Sequence, residues 1–374
     1  MATDASGNLS TFVAAWGFGL AFVFGVIASK SNFCIMGALS DVVNMQHWGR
    51  MRMWLLAIAV AIIGATALRL AGLIDLDKSI YLRPRLGILS PILGGLAFGI
   101  GMSMASGCVN KNLLRLGAGS LRSLVVIVFI AISGYATMKG LPAIWRVTWL
   151  DPVMIDLGAM GMKSQSLGEL VARVTGMQAG TAIAATAGVL AITLLVFIFR
   201  DARFRRNLPQ VASSIALGLL VVAGWYVTGH LGFGENPDTL EEVFAGTNTK
   251  TLESFSFVAP TAYGLELILL WTDKSLAVTF GIASALGVVM GSLAWALGTR
   301  SLHLEGFVST ADTRNHIVGG LLMGFGGVTA LGCTIGQGVS GVSTLAIGSV
   351  IATLSIVAGG VATLKYIYWR ETRD

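Results

Sequence analysis

Nine long apolar windows are the feature that most restricts how this chain can fold. A helix needs roughly 20 apolar residues to cross the hydrocarbon core of a bilayer. Only 12% of the 374 residues are charged, and the mean hydropathy is +0.78, whereas soluble domains carry about 25% charged residues. The pattern predicts an all-α polytopic membrane protein with about nine transmembrane helices, forming one transmembrane transporter domain over residues 1–374. The windows cover residues 11–28, 51–74, 86–105, 120–138, 178–200, 210–233, 275–299, 314–331 and 343–367.

Short apolar pieces lie between these windows and cannot cross a bilayer. Pieces of this length indicate re-entrant or interfacial segments. Non-helical backbone at membrane depth persists only where protein or a water-filled path satisfies its polar groups. We therefore expect short re-entrant half-helices around a central path. The pieces cover residues 33–44, 108–116, 141–150, 258–272 and 333–341.

The distribution of Lys and Arg between the spans predicts the orientation of the chain. Nine spans place the two ends on opposite sides of the membrane. With a periplasmic N-terminus, the cytoplasmic segments hold 15 Lys and Arg residues and the periplasmic loops hold nine. The positive-inside rule then favours a cytoplasmic C-terminus. The fifteen are Lys30, Arg50, Arg52, Lys111, Arg115, Arg122, Arg200, Arg203, Arg205, Arg206, Arg300, Arg314, Lys365, Arg370 and Arg373.

The distribution of charged residues also indicates which partners and which location to expect for the protein. A net charge of +6 can signal nucleic-acid binding, but here the basic residues sit between apolar runs, as membrane topology requires. We expect a multi-pass protein of the bacterial inner (plasma) membrane, with the lipid bilayer as its surroundings and no nucleic-acid partner. The acidic segment 235–253 falls on the periplasmic side and receives no role.

The chain repeats itself across a long separation. Residues 94–108 read GGLAFGIGMSMASGC and residues 319–333 read GGLLMGFGGVTALGC, so eight of fifteen positions match at an offset of 225. The first copy lies in the third span and the second in the eighth, so the two run in opposite directions. Inverted-topology repeats are typical of transporter folds whose substrate sites lie near the bilayer midplane at broken helices. We place the repeat copies at about 88–138 and 317–367, with half-helices at 108–116 and 333–341.

Three cysteines occupy similar positions in the pattern. Cys34, Cys108 and Cys333 each follow a glycine-rich span and begin a short piece, near caps such as Ser31, Asn32 or Ser106. An odd count without C-x-x-C spacing argues against a disulfide framework. A helix N-terminus offers free N–H groups and a partial positive charge, which suit an anion. A thiol adds a weak donor and a polarizable sulfur.

These properties describe a binding station for a soft anion, with the thiols neutral and donating. Two alternatives stay open, because a thiolate would repel an anion and invite a metal, and because a buried cysteine can serve simply as a small hydrophobe.

Residues beside the cysteines are further candidates for substrate binding. Gly107 and Gly332 precede two of the thiols and allow close approach of the backbone to a ligand. Asn110 and Lys111 could help to desolvate an anion, or could cap backbone and reach the interface instead. The Gln337 amide could donate a hydrogen bond to the ligand or form hydrogen bonds within its own re-entrant loop. The sequence indicates no catalytic group, no metal site and no cofactor.

The motif GG-x-x-x-G-x-G-x-x-x-A-x-GC, present twice, together with SNFC near the first span, resembles the YeeE/YedE sulfur-transport family over essentially the whole chain. The resemblance implies an hourglass-like fold of nine spans with re-entrant helices. It also implies inner-membrane uptake of thiosulfate, relayed between the thiols of Cys34, Cys108 and Cys333. A small cytoplasmic TusA-like sulfurtransferase is the partner that the resemblance implies. Other members are linked to selenium metabolism or have no settled substrate.

Competing functions follow from the same residues. The protein could transport another sulfur or selenium compound, or act as a membrane thiol/disulfide redox protein, although no two cysteines are close in sequence. A soft-metal transporter would need added His or Met ligands. ATP-driven transport is disfavoured, since no G-x-x-x-x-G-K-[ST] loop occurs. The full spans contain no Asp or Glu, the residues that ion-coupled transporters often use.

Overall fold

A computed structural model describes residues 2–235 and 242–372 of the chain. Six residues of the acidic segment 235–253, together with Met1, Arg373 and Asp374, lie outside the described residues. The α-helices are α1 (Ala2–Ser31), α2 (Ile35–Met45), α3 (Gly49–Leu70), α4 (Leu89–Met104), α5 (Val109–Gly117), α6 (Leu121–Lys139), α7 (Leu141–Trp145), α8 (Leu167–Thr175), α9 (Ala179–Phe199), α10 (Ala202–Arg206), α11 (Leu208–Tyr226), α12 (Val258–Leu269), α13 (Phe280–Gly298), α14 (Thr310–Thr329) and α15 (Ile347–Glu371).

Shorter elements connect these helices. Four short strands form two antiparallel pairs. The strand β1 (Arg85–Gly87) pairs with β2 (Met154–Asp156), and β3 (Phe233–Glu235) pairs with β4 (Glu242–Phe244). A 3₁₀ turn covers Leu76–Lys78. In the described part of the chain, three π-helical segments cover Arg146–Leu150, Val227–Leu231 and Gly336–Gly341.

The transmembrane architecture is confirmed. Within the described residues, eight helical stretches are long and apolar enough to cross a membrane. The predicted span 314–331 corresponds to α14, whose first turns carry Asp312, Arg314 and His316 and so lower its mean hydropathy. At 1.5 Å per residue its 20 residues reach about 30 Å, and it packs antiparallel along the spanning helix α4. The chain is a multi-pass membrane protein.

Two faces of the molecule can be told apart by their loops. The hairpin face carries the two strand pairs. The segment before β1 contacts β4 through the Lys78–Glu242 ion pair and the loop after β4 through the Ser79–Leu252 bridge. The arginine face carries α10 with Arg203, Arg205 and Arg206. The helix α11 begins directly after α10 and leads to β3. The two faces therefore lie at opposite ends of this span.

The matched segments pack against each other with their backbones in contact. A Cβ built on Gly94 would lie 2.6 Å from the Ala330 nitrogen, and one built on Gly101 would lie 2.6 Å from the Gly319 oxygen. The helices α4 and α14 therefore run antiparallel, which is the relation that an inverted repeat predicts. Glycine is required at these positions because any side chain would separate the two backbones.

The helix packing is duplicated far beyond these segments. The helix α1 packs on α13 and α11 packs on α3, while α4 packs on α15 and α14 packs on α6. Likewise α2 contacts α15, and α12 contacts α6. We infer a six-element unit that occurs twice. The helices α1, α2, α3, α4 and α6 correspond to α11, α12, α13, α14 and α15, and α5 corresponds to the Gly336–Gly341 segment. The predicted copies 88–138 and 317–367 would be the second half of each unit, and their bounds stay a prediction.

Candidate thiol site

The same backbone turn precedes all three cysteines. Two residues before each thiol, a non-glycine residue adopts the left-handed conformation: Asn32 with φ 53°, Ser106 with φ 53° and Leu331 with φ 59°. L-residues other than Gly, Asn and Asp visit this region at a cost of about 1–2 kcal/mol. Such a turn ends one helix and lets the next begin at once.

Hydrogen bonds identify the turn as a Schellman motif. In each case the residue before the cysteine donates its N–H to the carbonyl five residues earlier. The pairs are Phe33 to Ala28 at 3.1 Å, Gly107 to Met102 at 2.9 Å and Gly332 to Gly327 at 2.7 Å.

The cysteines themselves stand at the starts of the short helices. Cys34 is the N-cap of α2, and its Sγ accepts the Gly37 N–H at 3.4 Å. Cys333 Sγ accepts the Gly336 N–H at the same distance and the same spacing. Cys108 is the N-cap of α5, in an extended conformation. The sequence predicted half-helix starts here but looked to Asn32 and Ser106 for the caps, whereas these residues form the preceding turns.

The three thiols form a connected group inside the protein. All three are free and buried. The side chains of Cys34 and Cys108 interact directly, and Cys108 also interacts with the Thr334 side chain. Thr334 adjoins Cys333, so Cys108 contacts both the Cys34 thiol and the segment that carries Cys333.

Backbone donors from two chain segments surround the third thiol. Cys333 Sγ lies in reach of the N–H groups of Ile335 and Gly336 and of the Phe257 N–H at the start of α12. In the duplicated packing α12 corresponds to α2, so Phe257 occupies the position that Cys34 holds in the other half. Half-helix N-termini thus approach the thiols from both faces.

The amides beside the thiols hold the turns together. Asn112 donates its side-chain N–H groups to the carbonyls of Gly107 at 3.0 Å and Cys108 at 3.1 Å. Gln337, at the equivalent position 225 residues later, donates to the Ala330 carbonyl. Both side-chain oxygens are buried without a hydrogen-bond partner, as is Asn110 Oδ1. The Gln337 amide therefore supports its own loop in this conformation.

The two candidate glycines pack against the same short helices. A Cβ on Gly107 would lie 3.3 Å from the Lys111 side chain, and one on Gly332 would lie 3.0 Å from the Gln337 nitrogen. A small residue at each position lets the turn close tightly on the segment that follows the thiol.

Basic side chains surround the Cys34 end of the group. Lys111 Nζ donates to Asn32 Oδ1 at 3.1 Å, which links α5 to the end of α1. Arg50 and Arg115 lie within electrostatic range of this ammonium group. The Cys34 thiol is in range of Lys111 and Arg115. An anion near Cys34 would therefore experience favourable charge.

A cavity of about 550 Å³ opens on the hairpin face and reaches the turn before Cys333. Arg83, Arg85 and Arg146 line it, and Gln337 lies at its inner end. Among the described residues, only Arg146 of these three forms an ion pair, with Asp151. Sequence reasoning used these arginines for topology alone, because it could not show that two distant loops meet around one cavity.

A second cavity, of about 380 Å³, lies on the arginine face beside the turn before Cys108. Its lining residues Ser106 and Ser123 correspond, at the repeat offset of 225, to Leu331 and Gly348 of the first cavity. Arg122 lines it too but is paired with Glu305 at 3.1 Å and Asp312 at 3.7 Å. Two repeat-related cavities thus approach the thiol group from opposite faces.

Comparison with known proteins identifies the family of the chain. The sulphur-transport family profile matches residues 30–362. A thiosulfate transporter TsuA of Spirochaeta thermophila is 24% identical over 361 residues, covering 94% of this chain and 97% of that protein. A thiosulfate transporter TsuA of Escherichia coli is 22% identical over 337 residues, covering 85% and 84%. The matched region contains all three thiols and both cavities, and the chain belongs to the sulphur-transport (YeeE/YedE) family.

Proposed function

We propose that this protein takes up thiosulfate across the bacterial inner membrane, passing the anion between its three thiols. The observation that carries the proposal is the thiol group itself, in which Cys108 contacts both Cys34 and the segment that carries Cys333, with one cavity on either side. The relatives named thiosulfate transporters support the choice of anion. The protein is on this view a transporter and not an enzyme.

The chemistry of the donors suits a soft dianion. Thiols and backbone N–H groups at half-helix starts donate hydrogen bonds and offer partial positive charge without a full cation. A fully charged cage in a low-dielectric interior would hold a dianion too tightly for release, since conduction needs binding that is weak or divided among sites. A polarizable S–H donor matches the terminal sulfur of thiosulfate better than it matches a sulfate oxygen.

The order of events follows from the orientation. The positive-inside rule places the arginine face in the cytoplasm and the hairpin face in the periplasm. Thiosulfate would enter among Arg83, Arg85 and Arg146, meet Cys333, and then pass Cys108 and Cys34. A TusA-like sulfurtransferase at the cytoplasmic face would receive the sulfur and so maintain the inward flow.

Uptake by cells that depend on this protein tests the proposal. Labelled thiosulfate, sulfate, sulfite and selenite would be offered singly and in competition. We expect thiosulfate to accumulate and to support growth as sole sulfur source, with excess sulfate competing poorly. Strong sulfate uptake without a preference for thiosulfate would contradict the proposal. Preferred uptake of another sulfur or selenium anion would support the proposed path past the thiols but would contradict thiosulfate as its substrate.

A redox function is the second candidate, because the structure brings Cys34 and Cys108 into contact although they are far apart in sequence. Such a pair could form a disulfide reversibly. Mass spectrometry of the protein isolated with thiol trapping distinguishes the two functions. We expect Cys34 and Cys108 to be trapped as free thiols during active uptake, whereas a substantial Cys34–Cys108 disulfide fraction that turns over would favour the redox protein.

A further inference from the structure

The loop between β4 and α12 carries an acidic side chain near the thiol group that the relay does not use. The loop leaves the hairpin face, reaches inward to Phe257 and returns as α12. Glu253 lies on the part of the loop that runs inward from the hairpin face, four residues before Phe257, whose N–H points at Cys333. The loop is fixed at this point, because the Glu253 carbonyl accepts the Thr228 hydroxyl and the Ser254 hydroxyl donates to the Val221 carbonyl.

The Glu253 carboxyl group is poorly satisfied for a charged group. Its Oε2 accepts the Thr249 hydroxyl at 3.2 Å, while its Oε1 is buried without a hydrogen-bond partner. An unpaired carboxylate oxygen in such surroundings costs free energy that protonation removes. Burial accordingly raises the pKa of Glu253 to about 7, with the Thr249 side chain and the Asn248 backbone N–H opposing the rise.

The titratable groups that face Glu253 are neutral tyrosines and not cations. Tyr81, in the loop after Leu76–Lys78, and Tyr263, on α12, both lie within electrostatic range of its carboxyl group. The packed segment Val227–Leu231 contributes the Thr228 hydroxyl, whereas His230 stacks on Tyr226 and bonds the Leu73 carbonyl. Among the described residues no Lys, Arg or His side chain forms an ion pair with Glu253.

Tyr81 connects this carboxyl group to the transport path. It lines the hairpin-face cavity and lies within electrostatic range of both Cys333 and Glu253. Because the same tyrosine is in range of both groups, we expect a negative charge at Cys333 to interact with the Glu253 carboxylate. Two negative charges in a low-dielectric region repel, and neutralising one of them lets the other bind.

We propose that Glu253 is a proton-binding site whose protonation permits the anion to occupy the Cys333 end of the path. The inference rests on the proposed function and adds to it the link between uptake and external pH. The step is a simple proton transfer, in which the carboxylate takes one proton from the hairpin-face solution and returns it when the anion leaves. By reciprocity, an anion at Cys333 also strengthens the binding of this proton.

Thiosulfate uptake into vesicles containing the purified protein tests the proposal. Thiosulfate stays a dianion between external pH 5.5 and 8.5, so any pH dependence belongs to the protein. We expect the half-saturation concentration to be constant at low pH and to rise by up to about tenfold per pH unit above the Glu253 pKa. In Glu253→Gln, which keeps the shape but cannot ionise, it should be constant throughout. Glu242→Gln removes an exposed acid of the preceding strand β4, which is paired with Lys78 at the surface, and should keep the pH dependence of the wild type.

Calorimetry on the wild type gives a second reading that does not depend on the stability of a variant. Thiosulfate binding at pH 8, about one unit above the Glu253 pKa, repeated in buffers of different ionisation enthalpy, should show net proton uptake approaching one per anion. Binding with no proton uptake, or an unchanged pH slope in Glu253→Gln, would overturn the proton site and leave thiosulfate transport standing. Absence of thiosulfate binding at every pH would overturn both.

Discussion

In the proposed relay, each of the three cysteines serves the backbone and the ligand at the same time. As the residue that opens a half-helix, it stands where three or four N–H groups have no helical partner. The thiols of Cys34 and Cys333 each take one of these donors. The remaining N–H groups and the S–H proton stay available for an anion. A cysteine therefore caps the start of the helix and still leaves hydrogen-bond donors there for a ligand.

Replacement of single thiols tests the relay at this scale. We expect Cys108→Ala to abolish measurable thiosulfate uptake, Cys333→Ala to come close, and Cys34→Ala to leave some. Losing one hydrogen bond to a charged ligand costs about 1.5–3 kcal/mol, roughly tenfold to a hundredfold in occupancy. Cys108 should matter most because it contacts both neighbouring groups. Initial uptake rates, normalised to the amount of protein in the membrane, provide the measurement.

The control for this series is Cys108→Ser, which keeps a donor and a helix cap but lacks the polarizable sulfur. It should rank between the wild type and Cys108→Ala. Near-normal uptake by the Cys108→Ala, Cys333→Ala double variant, at normal expression, would refute the relay and make the cysteines small hydrophobic residues.

The arginines of the hairpin-face cavity give a second prediction. Arg83→Gln and Arg85→Gln should each raise the half-saturation concentration for thiosulfate, by about tenfold at low ionic strength and less at high salt, because steering by exposed charges is screened. Uptake measured at two salt concentrations shows the difference. Arg173→Gln, on α8 and away from the cavity lining, should have little effect. Equal effects at all three positions would point to general surface charge and not to capture in the cavity.

Only part of the candidate site could be predicted from the sequence, because some of its features are local and others depend on packing. The spacing of Cys34, Cys108 and Cys333 after glycine-rich spans predicted helix starts, because chain direction and helix length are local properties. The contact between Cys34 and Cys108 and the position of Glu253 were not readable, since they depend on how separate segments pack.

At the scale of whole elements, glycine spacing decides which helices touch. A Cβ on Gly326 would lie 2.5 Å from both the Gly94 oxygen and the Phe98 nitrogen, whereas a Cβ on Gly188 in α9 would meet nothing within 4 Å. The first glycine is needed for the α4–α14 contact, and the second faces open space. Composition alone could not separate these two kinds of glycine.

Substitution of these glycines tests the packing directly. Gly326→Ala should lower the free energy of unfolding by about 1–3 kcal/mol, as overpacking in a close interface does. Gly188→Ala should change it little, since alanine favours the helix. Thermal unfolding of the detergent-solubilised protein, followed by light scattering or tryptophan fluorescence, gives the comparison. Equal stability of the two variants would show that α4 and α14 separate easily.

Element lengths also explain where sequence reading succeeded. Windows of roughly 20 apolar residues identified spans, and pieces near ten residues identified α2, α5 and α12. The segment Gly336–Gly341 forms a π-helical turn, which its glycine-rich sequence did not predict because local propensity there is weak. Its exact geometry is set by neighbours, such as Trp54 against Gly338.

For the whole molecule, loop charge makes a prediction about orientation. A reporter fused after Asp374 should be active only in the cytoplasm, and one before Met1 only in the periplasm. The physical reason is the excess of Lys and Arg on the arginine face. Paired reporters that report opposite compartments, such as a phosphatase and a fluorescent protein, provide the measurement. Cytoplasmic activity from both ends would mean that the number of spans is even.

The antiparallel contact of α4 with α14 has a consequence for how the molecule can move. Rocking or elevator transporters need halves that slide past one another, and sliding requires side chains that can exchange partners. Here the two backbones approach each other at glycines, where a built Cβ would lie 2.5–2.7 Å from carbonyl or amide atoms of the facing helix, so few side chains at this contact could exchange partners. We therefore expect the α4–α14 contact to stay fixed during transport and the anion of the proposed relay to pass by small movements at the thiols. A covalent staple between the halves should leave transport running.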